Sequence, residues 1–205
     1  MEITVRPVVE SAVPELSRVL AQAFDDDPMI QWCIPSERGR PRRAALMFEA
    51  LINHLYLPHG AVDAAFDESG RIVGGAVWLP PGTWDPGAGD SPRMLWSLAR
   101  AFRLRLVATG RMSVRMNQAH PAEPHWYLAI VGTEPAVRGQ GYGQALLRPR
   151  LAHCDATGAP AYLESSKFSN IAYYERYGFE LRGELDATAG GPLLWPMWRQ
   201  SETSS

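Results

Sequence analysis

The sequence predicts a single-domain α/β protein in which helices flank a mixed β-sheet. Segments with strand and helix periodicity alternate along the chain, in the order β-α-α-β-β, an insert, then β-α-β-α-β-β. Near the middle, a strand leads into a glycine-rich turn and a helix, as in sheets that bind a ligand at the end of a central strand. The prediction treats residues 1–205 as one domain, which is long enough to form its own core.

The composition argues against several classes of protein. Hydrophobic residues make up 46% of the chain and the formal net charge is −2, so no basic excess favours nucleic-acid binding. No apolar run is long enough to cross a membrane and the N-terminus lacks a signal-peptide core, so we expect no membrane partner and a cytoplasmic location. Cys33 and Cys154 lie outside any metal-like cluster, and we expect buried, reduced thiols and no metal.

The first half of the chain predicts a short strand, two helices and a hairpin. Apolar residues recur at helical spacing before Phe24 and before Tyr56, and two strand-like segments flank the turn at residues 67–70. In chain order, these elements cover residues 3–6, 16–24, 38–56, 61–66 and 71–79.

An acidic turn and two tryptophans are candidates for contacting a substrate. Asp26 and Asp27 belong to a turn after the first helix, and Trp32 follows them. The aspartates form either a solvated helix-end turn or an acidic lip that attracts a cationic amine. Trp84, beyond the hairpin, either packs in the core or forms a wall for an apolar acceptor. The sequence leaves these alternatives open.

Residues 83–124 form an insert between the third and fourth predicted strands. It begins rich in proline and glycine and becomes helical from Ser91, with an apolar stripe that ends at Leu106. Arginines recur from Arg93 to Arg115, either as a solvated basic face or as contacts to ligand phosphates. We expect this insert to be a lid or pocket wall that sets substrate specificity.

The segment from His125 to Ala156 predicts a phosphate site. Residues 125–132 resemble a buried strand, and Pro135 ends its hydrogen-bond ladder. The turn Arg138–Gly143 and a helix from Gln144 follow. Glycines at a helix N-terminus let backbone N–H groups approach an anion, which the helix dipole also favours. The turn lacks the lysine of a P-loop, and its glycine spacing differs from the dinucleotide fingerprint.

Three further strands and a short helix complete the predicted fold. Residues 161–166 form the fifth strand and residues 167–176 the last helix. Residues 179–185 and 193–198 form a terminal pair of strands, and the tail at residues 200–205 is expected to fray.

Two motifs together resemble the GCN5-related N-acetyltransferase (GNAT) family. The first is Arg-x-x-Gly-x-Gly after a strand, at Arg138–Gly143, and the second runs from Asn170 to Phe179. With Leu163–Ser166 between them, they are similar to puromycin N-acetyltransferase-like members. The resemblance is strong over the C-terminal half and rests on the order of elements elsewhere. It implies a mostly antiparallel, twisted sheet that is splayed between the fourth and fifth strands.

The resemblance also implies a binding mode for acetyl-CoA as cosubstrate. The amides of the turn should hold its pyrophosphate, and the fourth strand should pair with its pantetheine arm. The first helix and the loop after it should border the acceptor pocket. The expected cofactor-binding residues are Val131, Gly132, Thr133, Arg138, Gly139, Gln140, Gly141, Tyr142, Gly143, Gln144 and Asn170.

Acetyl transfer to an amine needs a donor to the carbonyl oxygen, an acid and a neutral amine. A main-chain N–H near Val131 serves the first need. Tyr174 has the family position of the general acid, and a phenol can protonate the departing thiolate without carrying charge into an apolar gap. The first candidate base is Glu164, a carboxyl group within a strand; the second is His125, since an imidazole titrates near neutral pH; the third is Asp26. An amine of low pKa needs no base.

These inferences predict a cytoplasmic N-acetyltransferase that uses acetyl-CoA and acts directly on the primary amine of a small molecule, such as an antibiotic or a metabolite. Two alternatives remain: an acyl-CoA-binding sensor without catalysis, and a protein acetyltransferase acting on lysines or N-termini. The sequence is compatible with a homodimer and does not identify the acceptor.

Overall fold

One sheet runs through the part of the molecule that the computed structural model describes, residues 3–84 and 91–202. Its strands are β1 (Thr4–Pro7), β2 (Val62–Phe66), β3 (Ile72–Leu79), β4 (Trp126–Thr133), β5 (Ala161–Ser165), β6 (Glu180–Leu181) and β7 (Trp195–Arg199). They are ordered β1-β2-β3-β4-β5-β7-β6, and neighbours are antiparallel except for β4 and β5. The predicted α/β class with a mostly antiparallel sheet is confirmed.

Helices cover both faces of this sheet. They are α1 (Val13–Ala23), α2 (Pro28–Cys33), α3 (Arg40–Leu51), α4 (Pro92–Phe102), α5 (Leu106–Ala119), α6 (Tyr142–Thr157) and α7 (Ile171–Glu175). One core cluster joins the sheet to α1, α3 and α4, and a second joins it to α6 and α7. Because it is covered on both faces, β3 is buried at every residue, which fits its unbroken run of small and apolar side chains.

The central pair of strands separates soon after it forms. In β4 and β5, the parallel pairing is limited to Trp126 with Ala161 and Tyr127 with Tyr162. Just beyond, β4 carries a bulge, since Leu128 and Ile130 pair with consecutive residues of β3. A bulge bends a strand and increases its twist, which turns β4 away from β5. The predicted splay is therefore present, and it opens a gap lined by strand edges.

A helix stands where the sequence analysis expected only an acidic turn. Asp27 caps the N-terminus of α2 by accepting hydrogen bonds from Met29 N (2.9 Å) and Ile30 N (3.1 Å). Pro28 follows at the first helical position, where its missing N–H has no cost. An aspartate before a proline is a helix-start pattern, and giving it weight would have predicted α2.

Other elements differ from expectation in length. The helical part of the insert consists of α4 and α5, separated at Arg103, whose φ is 52°. The terminal pair is shorter than predicted, because the pairing of β6 with β7 continues only as an isolated bridge between Leu185 and Leu194. In the tail, Glu202 N donates to Asp155 Oδ1 (2.8 Å). Residues 85–90 of the predicted insert and residues 203–205 of the predicted frayed tail lie outside the described residues.

Candidate active site

Two cavities meet at the splayed strands. The first, of about 900 Å³, lies between the open edges of β4 and β5 and reaches the glycine-rich turn. The second, of about 510 Å³, lies beneath α4 and α5. The described residues that line both are Phe24, Asp27, Ala129, Ile130, Glu164 and Ser166. A group transferred from a ligand in one cavity to a ligand in the other must pass these residues.

The turn before α6 presents unpaired backbone donors to the first cavity. Gly139 and Gly141 have φ values of +81° and +93°, which favour glycine, and Gly141 is the N-cap of α6. Among the described residues, five backbone N–H groups in this turn and the first turn of α6 have no backbone acceptor. They belong to Gly139, Gly141, Tyr142, Gly143 and Gln144. Free amides at the positive end of a sixteen-residue helix suit a diphosphate.

Positive side chains line the same end of the first cavity. Arg138, Arg148, Lys167 and Arg176 contribute to its wall. Arg138 also holds the turn in place, because its Nη2 donates to the carbonyl oxygen of Ala23 at the end of α1 (2.8 Å). These cations complement a ligand with several phosphates.

Asp26 is tied to two of these cations. Its Oδ1 lies 2.8 Å from Lys167 Nζ and 3.6 Å from Arg138 Nη2. The hydrogen bond from Lys167 lowers the pKa of Asp26, with a further contribution from Arg138, against the opposing effect of burial. Asp26 is therefore an ion-pair partner at the rim of the first cavity, and a carboxyl group with a lowered pKa is a weak base.

Gly132 of β4 brings strand and helix together. A Cβ at Gly132 would lie 2.8 Å from Phe24 Cε2 and 3.0 Å from Ala23 Cβ. Only glycine lets the end of α1 pack this closely on β4. Val131, Gly132 and Thr133 all line the first cavity, where the side of β4 facing β5 has no strand partner. Their main-chain groups are placed to pair with an extended ligand, as an added strand would.

The second motif lines the opposite wall of the first cavity. Asn170 precedes α7 and its side chain makes no capping hydrogen bond, which leaves it available to a ligand. Tyr173 lies over the turn, since its Oη is 2.9 Å from the position of a Cβ on Gly143. The two motifs, separate in sequence, thus form one cleft.

Tyr174 is a buried phenol on this wall. It is 8% exposed and packs against Tyr173 and Phe179, with ring centroids 5.4 Å and 6.1 Å away. Burial, and then the nearby Asp27, raises the pKa of Tyr174 far above its usual range. The hydroxyl group therefore stays protonated, and Tyr174 contributes to the wall of the first cavity. A neutral phenol at this place is able to donate a proton.

Glu164 stands at the junction of the cavities. Its side chain is only 3% exposed, although it lies beside the open edge of β5. Burial raises the pKa of Glu164 from 4.5 to about 7, even though hydrogen bonds from Tyr127 and Tyr162 favour the ionised form. A carboxyl group with a pKa near neutrality is suited to take a proton from an amine and release it again.

Asp27 has a structural role at the same junction. Besides capping α2, it accepts a hydrogen bond from the hydroxyl group of Ser166, which follows β5. Burial raises the pKa of Asp27, while Ser166 and the two capping N–H groups act in the opposite direction. These bonds fix the end of β5 to α2 on the far side of the cleft.

The second cavity has an apolar wall and a negative inner end. Five methionines contribute to the wall: Met29, Met47, Met94, Met112 and Met116. Among its described lining residues, the carboxyl groups are Asp27 and Glu164, and there is no lysine or arginine. Burial raises the pKa of the Cys33 thiol to about 12, so this lining cysteine stays a neutral thiol.

The family follows from comparison with known proteins. The model of the acetyltransferase (GNAT) family matches residues 28–179. The chain belongs to the GNAT family. Over 202 residues it is 28% identical to an uncharacterized N-acetyltransferase of Schizosaccharomyces pombe, covering 91% of this chain and 78% of that protein.

Solved structures share the GNAT fold over the whole chain. A protein from Corynebacterium glutamicum, described as histone acetyltransferase HPA2 and related acetyltransferase, is 29% identical with a TM-score of 0.75, covering 100% of this chain and 99% of its own. Arylalkylamine N-acetyltransferase 2 from Aedes aegypti is 14% identical with a TM-score of 0.60, covering 98% of this chain and 100% of its own, which shows a common fold.

The structure brings most of the predicted GNAT site residues to one place. The predicted cofactor-binding residues line the first cavity, with the exception of Gln140, which is exposed and whose side chain donates to Ala136 O (3.2 Å). Tyr174 and Glu164 line the cleft, and Trp84 lines the second cavity.

Two other predicted site residues lie elsewhere. Trp32 lines neither cavity among the described residues, and the guanidinium group of Arg105 lies over its ring at 4.2 Å. His125 also lies outside both linings, and its ring nitrogens face Glu123 O and His120. The sequence analysis missed His120, which stands 4.0 Å from Glu164, because no local pattern marks a histidine at the end of a helix.

Metal and membrane features were also assessed over the described residues. They contain no group of His, Cys, Asp and Glu side chains arranged to hold a metal ion. None of their helices has the length and apolar character needed to span a bilayer. Both cysteines are buried and unpaired with each other, as predicted.

Proposed function

We propose that this protein is an acetyl-CoA-dependent N-acetyltransferase whose acceptor is the primary amine of a small molecule with an apolar body. The observation that carries the proposal is the position of Glu164. Its carboxyl group joins a cleft equipped for a diphosphate to an apolar cavity of about 510 Å³. No other described titratable group combines this position with a pKa raised to about 7.

The first cavity suits acetyl-CoA, the cosubstrate of the GNAT family. Unpaired amides of the turn and nearby arginines would hold the pyrophosphate, with Asn170 opposite. The open edge of β4 at Val131–Thr133 would pair with the pantetheine arm. Gln140 belongs to the motif, but its side chain does not line the first cavity, so only its backbone would shape the turn.

The second cavity suits an apolar amine. Its methionines adapt to different apolar shapes, and the carboxyl groups at its inner end favour an ammonium group. Enzymes that acetylate arylalkylamines share the fold, so the fold accommodates acceptors of this size.

The residues at the junction supply the chemistry. Glu164, once ionised, takes a proton from the ammonium group, which leaves a neutral amine to attack the thioester carbonyl carbon. A main-chain N–H of β4 near Val131 stabilises the charge on the carbonyl oxygen. Tyr174 donates its proton to the departing thiolate as the C–S bond breaks. The second amine proton, lost as the amide forms, passes to the Tyr174 oxygen directly or through water, which restores the phenol.

An acceptor panel tests this proposal. Thiol release is measured with acetyl-CoA and either 2-phenylethylamine, agmatine or a lysine-containing peptide. We expect the highest kcat/KM with the apolar amine. Turnover confined to the peptide would support a protein acetyltransferase, and tight acetyl-CoA binding without turnover of any amine would support a sensor. Light scattering on the same sample distinguishes a monomer from a homodimer.

The cavity wall gives a second, independent test. Met112→Arg places a cation in the acceptor cavity, so we expect kcat/KM for 2-phenylethylamine to fall at least about tenfold, which is about 1.4 kcal/mol. The Kd for acetyl-CoA should not change. The matched control is Leu104→Arg, on the same insert but 101% exposed. Equal losses in the two variants would contradict the assignment of this cavity to the acceptor.

A further inference from the structure

Two buried histidines that line neither cavity stand beside Glu164. The Nδ1 of His120 is 4.0 Å from Oε1 of Glu164, and the two side chains are 4% and 3% exposed. The Nε2 atoms of His120 and His125 are 3.1 Å apart. The Nδ1 of His125 is 2.6 Å from the carbonyl oxygen of Glu123, an exposed residue. Polar atoms thus form a row from Glu164 to the Glu123 carbonyl, with one gap of 4.0 Å between Glu164 and His120.

The hydrogen bonds in this row assign the tautomers of both rings. A carbonyl oxygen only accepts, so Nδ1 of His125 carries a proton. In neutral His125 the Nε2 atom therefore accepts, and the facing Nε2 of His120 must donate. Neutral His120 then has no proton on Nδ1, the atom that faces Glu164. This buried nitrogen has no hydrogen-bond partner among the described residues.

The surroundings keep both rings neutral. Burial, and then the neighbouring His125, lowers the pKa of His120 to about 4. Burial also lowers the pKa of His125, against the effect of Glu123. Trp84 stacks on the His120 ring with centroids 4.1 Å apart, and Tyr127 and Tyr162 meet it edge-on at 4.9 Å and 5.3 Å. This aromatic enclosure fixes the orientation of the ring.

We propose that His120 and His125 are positioning residues for Glu164: their fixed tautomers turn an unprotonated nitrogen toward the carboxyl group. That nitrogen accepts a hydrogen bond once Glu164 has taken the proton of the amine. The inference rests on the proposed role of Glu164 as the base. While Glu164 is ionised, its carboxylate oxygen and Nδ1 of His120 are both acceptors. After protonation, the carboxyl group is a donor and Nδ1 of His120 accepts from it. The 4.0 Å separation exceeds hydrogen-bond range and must shorten by about 1 Å, or be bridged by water.

The other groups that face Glu164 do not duplicate this role. The hydroxyl groups of Tyr127 in β4 and Tyr162 in β5 face the carboxyl group and favour its ionised form. Tyr56, after α3, is a buried phenol whose pKa is raised by burial and by Glu164, so it stays neutral. Asp27 and Ser166 stand across the junction and bond each other. A protonated Glu164 can also donate to a tyrosine hydroxyl oxygen, but among these described groups only Nδ1 of His120 accepts without being able to donate to the ionised form.

The tautomers can be measured without any substrate. Nitrogen-15 NMR of the histidine rings in the wild-type protein at pH 7 should show a proton on Nε2 of His120 and on Nδ1 of His125. A proton on Nδ1 of His120, or a doubly protonated ring, would overturn the inference. Because acetyl transfer is not involved, this failure would be distinct from failure of the proposed function.

A variant pair tests the consequence for Glu164. In His125→Phe, the N–H of His120 loses its acceptor, so the ring can place its proton on Nδ1 and donate to the carboxylate. The titration of Glu164, followed by carbon-13 NMR in the unliganded protein, should move down by about one pH unit. The acid limb of kcat/KM should move with it.

The matched control is His125→Gln, whose amide oxygen restores an acceptor near the former Nε2 position. We expect this variant to titrate within about 0.3 pH units of the wild type. An unchanged Glu164 titration in His125→Phe, or equal shifts in both variants, would overturn the inference. If His125→Phe does not fold, the wild-type tautomer measurement still decides the question.

Discussion

At the scale of the residue, Glu164 combines a functional advantage with a cost in stability. A carboxyl group that is 3% exposed is unfavourable in its ionised form, because the protein replaces water with aromatic rings around it. The two tyrosine hydroxyl groups offset only part of this cost, since the pKa of Glu164 is still raised to about 7. A base with this pKa is half ionised near neutral pH, which is where it can both take and release a proton.

We therefore expect Glu164→Gln to stabilise the protein in a pH-dependent way. Between pH 4.5 and about 7, the folded state binds the Glu164 proton more tightly than the unfolded state, so the stability of the wild type falls as pH rises. At pH 8 the variant should be more stable by up to about 3 kcal/mol, and the difference should vanish at pH 4. Urea unfolding at both pH values measures it. The exposed Glu175→Gln is the control and should show no such pH-dependent gain.

Tyr174 gives a second prediction for a single side chain. Tyr174→Phe keeps the buried ring and removes the donor to the thiolate, so kcat should fall by about 10²–10⁴ while the Kd for acetyl-CoA stays the same. Stopped-flow kinetics and calorimetry measure the two quantities. Tyr177→Phe is the control. It removes a hydroxyl group of the same motif that donates to the Tyr173 hydroxyl group (3.4 Å) and has no proposed part in acetyl transfer. A similar loss in the control would contradict the role of Tyr174 as the acid.

At the scale of the element, the cleft depends on how α6 begins and how β4 bends. The turn at Arg138–Gly143 exposes amides because two glycines there adopt a left-handed conformation. The bulge near Ala129 separates β4 from β5. The exposed amides form the proposed anion site, and the separation of the strands leaves room for the rest of the proposed ligand.

The two ends of α6 provide a matched test of the anion site. Gly139, before the helix, and Gly158, after it, have φ values of +81° and +68°, and a Cβ at either would have no atom within 4 Å. Alanine should therefore strain both positions by a similar amount, about 1–2 kcal/mol. Gly139→Ala should also weaken acetyl-CoA binding about tenfold or more, by calorimetry, because the turn amides shift. Weakening by Gly158→Ala to the same degree would argue against the proposed contact.

At the scale of the whole molecule, an ion pair between a buried arginine and a partly exposed aspartate ties β7 to the rest of the domain. Arg199 of β7 donates to both carboxylate oxygens of Asp155 in α6, at 2.7 Å and 2.8 Å, and to Tyr177 O after α7 at 2.7 Å. The Arg199 side chain is 4% exposed. Three elements around the cleft therefore meet at one guanidinium group.

Loss of this pair should be costly. Asp155→Ala removes two charge-assisted hydrogen bonds from Arg199, which keeps its contacts with Tyr177 O and, at 3.8 Å, with the Glu202 carboxylate, so we expect a loss of about 1.5–3 kcal/mol in the free energy of unfolding at pH 7. Arg199 lowers the pKa of Asp155, so this stabilisation is present above the usual carboxyl pKa and is lost as pH falls through the lowered value. Chemical denaturation at pH 7 and pH 3 measures both effects. The exposed pair of Arg182 and Glu180 is the control, and Glu180→Ala should cost less than about 1 kcal/mol.

The sequence by itself determined the parts of this protein that depend on near neighbours in the chain. The strand, glycine turn and helix around Arg138–Gly143 follow from periodicity and from the backbone freedom of glycine, and the resemblance of two motifs to the GNAT family implied the splayed sheet. The start of α2 is also a local feature, because its N-cap Asp27 directly precedes Pro28, although the sequence analysis expected only a turn there. The insert was recognised as helical, although its break at Arg103 leaves no signal in composition.

Only the tertiary structure decided which distant side chains share one environment. Glu164 was already the first candidate base from its place within a strand, but its pKa of about 7 comes from burial among the rings packed around it, and burial is a property of packing. His125 contacts His120, and Trp32 packs against Arg105, so neither side chain lines the cleft. His120 follows the last residue of α5, and no sequence motif marks it as a neighbour of Glu164. Periodicity predicts which face of an element is buried, whereas the partners on that face are set by long-range packing.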